Sequence, residues 1–85
     1  MMNFDPQYQV VIKQLRGADT GLSQTTDPQG HTSALHDLVI FVRLMKRNGY
    51  QSSQMVNSNY ALLKKGEVEI EAKLVEVKQR EEAKR

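Results

Sequence analysis

The stretch Val56-Asn57-Ser58-Asn59-Tyr60-Ala61-Leu62-Leu63-Lys64-Lys65-Gly66-Glu67-Val68-Glu69-Ile70-Glu71-Ala72-Lys73-Leu74-Val75-Glu76-Val77 decides the fold, because it carries two periodicities at once. Val56, Tyr60, Leu63, Ile70, Leu74 and Val77 follow the alternating spacing of a heptad seam, interrupted where Glu67 takes a seam position. Glu67 to Leu74 also alternates apolar with polar, as a half-buried strand does, until Leu74-Val75 breaks the pattern. Charge placement favours the helix. Glu69 and Lys73, Glu76 and Arg80, and Glu81 and Arg85 are each an acid followed one helical turn later by a base, the stabilising orientation. The pattern therefore predicts a helix over 53–83, a rod of roughly 45 Å. Gly66 is its weak point, costing about 1 kcal/mol relative to alanine and leaving room for a kink or break.

Upstream, Asp5-Pro6 has the form of a helix start, and Tyr8, Val11, Ile12 and Leu15 share a helical face before Arg16-Gly17 closes the segment. Helix 1 is expected over 6–16. Residues 17–31 hold Gly17, Gly21, Gly30, Pro28 and several hydroxyl side chains, with Leu22 the only large apolar residue, and are expected to form a flexible loop. Thr32 or Ser33 can cap a second helix over 33–48, apolar on most of its circumference from Leu35 to Met45 and stopped by Asn48-Gly49. The expected fold class is thus all-α: two shorter helices and a long C-terminal helix with a coiled-coil-like seam.

Eighty-five residues make one small domain, near the size at which oligomerisation often supplements the core. The absence of cysteine excludes disulfides, thiol catalysis and cysteine-ligated zinc. The longest apolar run, Leu38 to Val42, falls far short of the roughly 20 residues of a membrane span, so no membrane contact is expected and the cytoplasm is the default location. The net charge of +2 is unevenly spread, since residues 32–66 carry Arg43, Lys46, Arg47, Lys64 and Lys65 against Asp37 alone.

No catalytic constellation emerges. His31 and His36 lack the further ligands that a metal site needs, and Ser52, Ser53 and Ser58 have no histidine at a predictable position. No cofactor, metal or enzymatic activity is implied. The expected function is a small non-enzymatic interaction module that self-associates, as a dimer in the first instance, or captures a partner helix through Val56, Tyr60, Leu63, Ile70, Leu74 and Val77. The alternative is a dimeric regulator that binds duplex DNA, since 33–59 has the spacing of a helix-turn-helix. Its DNA contacts would come from Arg43, Lys46, Arg47, Gln51, Ser53, Gln54, Asn57, Lys64 and Lys65, although Ser58 stands where that motif wants an apolar residue.

Overall fold

The computed structural model describes residues 6–54 and 59–77. In chain order they form β1 (Gln7–Arg16), β2 (Gln24–Thr25), α1 (His31–Arg47), β3 (Gln51–Gln54), β4 (Tyr60–Lys65) and β5 (Val68–Val77). The strands make one antiparallel sheet in the order β2-β1-β5-β4-β3, with α1 against one face. The all-α expectation, with its helical bundle and coiled coil, is overturned.

Sheet pairing explains why the second periodicity prevails in the deciding stretch. Val68, Ile70, Ala72 and Leu74 share the helix-facing side of β5, and Ile70 and Ala72 are fully buried. The break at Leu74-Val75 marks the point where the opposite face also turns apolar, with Val75 and Val77 paired to Gln9 and Gln7 of β1. What spoils the strand pattern locally is therefore satisfied by a neighbour more than fifty residues away in the chain. Gly66 is a hairpin turn and not a flaw in a rod. Lys65 pairs with Val68 across a Gly66-Glu67 loop, and Gly66 has φ +62°, the positive value that primed hairpin turns require at their first central residue.

The expected helix over 6–16 is also a strand. Val10-Val11-Ile12 is a β-branched run that loses little by being extended, and the alternation Tyr8, Val10, Ile12 faces α1, with Val10 and Ile12 buried. The ladder between β1 and β5 shifts register between Gln14 and Arg16, which leaves Leu15 exposed. The Gln14 carboxamide then ties the following turn, donating to the carbonyls of Arg16, Gly17 and Ala18 at 3.0, 3.2 and 2.6 Å.

Among the described residues, only the segment expected to be the second helix is helical. It starts at Gly30, whose carbonyl accepts from the Ala34 amide, and neither Thr32 nor Ser33 is the cap. It stops where expected. The Gly49 amide donates to the Lys46 carbonyl and the Tyr50 amide to that of Met45, a Schellman closure that needs the left-handed φ of +95° at Gly49. Instead of being enclosed, α1 leans on one sheet face through Ala34, Leu38 and Met45, while Val39, Ile40 and Leu44 stay exposed. The core consists of Val10, Ile12, Leu63, Ile70 and Ala72 under Leu38 and Met45.

The two assignments of 56–77 predict opposite signs for one substitution. Gly66→Ala is expected to lower unfolding free energy by about 1 kcal/mol or more, because alanine resists positive φ. In a continuous helix it would raise stability by a similar amount. Urea denaturation of the two proteins distinguishes them.

Candidate functional site

A groove of about 240 Å³ lies between α1 and the outer strands, lined by Leu38, Val39, Val42, Arg43 and Lys46 from the helix and by Ser52, Tyr60 and Ala61 from the sheet. Its origin is a mismatch of side-chain size. Ser52 is paired with Leu63 and Ala61 with Ala72, so all four share the helix-facing side of the sheet. Leu63 fills the space beneath α1, whereas serine and alanine at the neighbouring positions do not reach it. The flank of the helix formed by Leu38, Val39 and Val42 is left as an apolar wall, with Arg43 and Lys46 along its margin.

Charge divides between the two faces of the molecule. On the face away from α1, the Glu69 carboxylate lies 3.6 Å from both Arg16 and Lys64, and Lys73 lies 3.9 Å from Glu71. These are cross-strand and same-strand surface pairs, each worth at most about 1 kcal/mol, in which Glu69 and Glu71 are shared among three cations. Among the described residues, Arg43, Lys46 and Arg47 of α1 take part in no ion pair. The acid of the same helix, Asp37, accepts a 2.7 Å hydrogen bond from the Gln29 carboxamide on the other side of α1.

The expected contact residues are dispersed. Leu63 and Ile70 are a buried cross-strand pair, and Leu74 packs against the core. Tyr60 and Val77 project from the opposite sheet face, and Val56 lies outside the described residues. No seam exists among those that are described, because residues that would be stacked on one helical face alternate between two faces of a sheet.

The helix-turn-helix expectation is corrected as well. Gln51, Ser53 and Gln54 lie on strand β3, so no second helix follows α1 through them, and Asn57 falls outside the described residues. Lys64 is paired with Glu69. Lys65 donates to the Asn48 carbonyl at 2.8 Å and sits 5.5 Å from the Tyr50 ring centroid, so it braces the helix terminus. Arg43 and Lys46 reach the groove, while Arg47 is exposed at the end of α1. The residues missed from the sequence are Leu38, Val39, Val42, Ser52 and Ala61. A helix more apolar than one buried face requires was their only sequence signal.

His31 meets the Tyr8 ring edge-on at 4.8 Å between centroids, and His36 is exposed. Among the described residues, no group of three or more histidine or acidic side chains is placed to hold a metal ion. No described helix is long and apolar enough to cross a membrane. No family model, curated protein or solved structure matches this chain.

Among the described residues, one titratable group is displaced. The Tyr60 hydroxyl donates to Glu71 at 2.8 Å, and this bond, partial burial and the nearby carboxylate charge all push its pKa above the ordinary 10.0. A pKa raised by folding stabilises the native state below the unfolded value, and that contribution is lost as pH rises through the folded one. Tyr60→Phe is expected to lower stability at neutral pH by at most about 1 kcal/mol. The difference between the two proteins should shrink at pH above the ordinary tyrosine pKa, as measured by urea denaturation under both conditions.

Proposed function

We propose that this chain is a non-enzymatic protein-interaction module whose contact surface is the groove beside α1 together with the exposed helix residues Val39, Ile40 and Leu44. The observation that carries this role is the groove itself: an apolar wall open to solvent, with two cations on its margin. Val39, Ile40 and Leu44 extend that wall over the outside of the helix, being 38%, 40% and 48% exposed. Exposed apolar side chains bordered by charge are the usual mark of a binding site.

The lining favours binding over turnover. It holds no thiol and no carboxylate or histidine to activate the Ser52 hydroxyl, and the Tyr60 hydroxyl donates to Glu71 on the opposite sheet face. A drug-sized ligand or cofactor usually needs about 300–1,000 Å³, more than this groove provides, whereas one or two side chains of a partner fit. Self-association through the heptad seam is no longer supported, because its residues lie on opposite sheet faces. A helix-turn-helix mode of DNA reading has no support either, because Gln51, Ser53 and Gln54 lie on strand β3 and not on a second helix.

Selection of a random peptide library displayed on phage tests the role. Enriched peptides are expected to lose about tenfold or more in affinity for Val39→Asp, a substitution at an exposed position that leaves folding stability within about 0.5 kcal/mol. Failure to enrich any peptide, or enrichment of peptides indifferent to Val39→Asp, would refute it.

A further inference from the structure

Resting on the binding role proposed above, we infer that β3 takes up an extended acidic segment of a partner protein as a sixth strand. One apolar side chain of that segment sits against Leu38, Val39 and Val42, and a carboxylate two residues away meets Arg43 and Lys46.

The two edges of the sheet differ in how they are protected. At one end β2 is only two residues long, and Pro28, which has no amide to offer an added strand, interrupts the edge before Gln29 bridges back to Tyr8. At the other, β3 presents Gln51-Ser52-Ser53-Gln54, with neither charge nor proline. One side of β3 is paired with β4, and among the described residues no strand takes the outer side, which carries the backbone groups that an added strand would use. The groove opens beside that same edge, so main-chain pairing and side-chain seating coincide, the arrangement used in strand addition.

Spacing and charge then narrow the occupant. Leu38, Val42 and Lys46 are one helical turn apart, about 6 Å, and alternate side chains of a strand repeat at about 6.8 Å. A segment lying along the groove therefore places one side chain at the apolar wall and the next on the same face near the cations. Arg43 and Lys46 have no ion pair among the described residues, and the carboxylates of Glu69 and Glu71 lie on the opposite sheet face. An acid in the incoming segment supplies the missing counter-charge. A second copy of this chain fits less well, since pairing β3 with its symmetry mate would bring both sets of Arg43 and Lys46 to one junction without an acid between them.

The test uses the full chain labelled with nitrogen-15, titrated at low salt with blocked peptides Thr-Val-Thr-Glu-Thr and Thr-Glu-Thr-Val-Thr and with their lysine-for-glutamate counterparts. One glutamate peptide should show cross-strand contacts to Gln51–Gln54 and bind about tenfold tighter than its lysine counterpart, a preference inverted by Arg43→Glu with Lys46→Glu. Should that double variant lose the native amide spectrum, Lys46→Gln is expected to reduce the salt dependence of binding instead. Binding without contacts to β3, or without a preference for glutamate, overturns strand addition while leaving the binding role intact. No binding by either glutamate peptide, or a dimer already sealed through β3, overturns it equally. Failure of the phage selection would remove the role itself.

Discussion

The cross-strand contact between Leu63 and Ile70 is the pivot of this small domain. Both side chains are fully buried, and their register is set by the two-residue turn at Gly66-Glu67. A slip of one residue would carry Leu63 and Ala61, or Ile70 and Ala72, to the charged face. The central position of β5 depends on the same alignment, since it must also present Lys73, Glu71 and Glu69 to Val11, Lys13 and Arg16 of β1. The ion pairs on the open face follow from that register and do not create it.

Among the described residues, a single helix covers one face of a five-stranded sheet, which imposes a further constraint. Five strands at about 4.8 Å spacing span roughly 19 Å, wider than the roughly 10 Å diameter of a helix with its side chains. Coverage is best over the inner strands, where Val10, Ile12, Leu63, Ile70 and Ala72 supply the core. Toward β3 the large side chains give way to Ser52 and Ala61, and the helix keeps apolar surface that the sheet does not take up. The groove is thus a product of the architecture, and the cations along it take part in no ion pair among the described residues, unlike Arg16, Lys64 and Lys73 on the face opposite.

The helix from His31 to Arg47 was legible in the sequence because its signals are local. A sustained apolar pattern from Leu35 to Met45 and the Asn48-Gly49 stop act within a few residues of the bonds they determine. Residues 7–16 misled because Tyr8, Val11, Ile12 and Leu15 meet helical spacing as well as Tyr8, Val10 and Ile12 meet strand spacing. The signal that deserved more weight was the β-branched run Val10-Val11-Ile12. In the same way, Gly66 between two apolar-alternating runs was as good a hairpin turn as a helix end, and the groove had no residue pattern of its own.

By itself, the sequence determined the central helix and its terminus, the exclusion of cysteine chemistry and the concentration of base between residues 32 and 66. Only the tertiary structure decided that 60–77 is a hairpin, that β1 closes against β5, and that Arg43 and Lys46 border an apolar groove. The physical reason is range. A helix satisfies its backbone within one turn of its own chain, whereas a strand is stable only beside a partner, and here the partner of Val77 is Gln7, at the far end of the described chain.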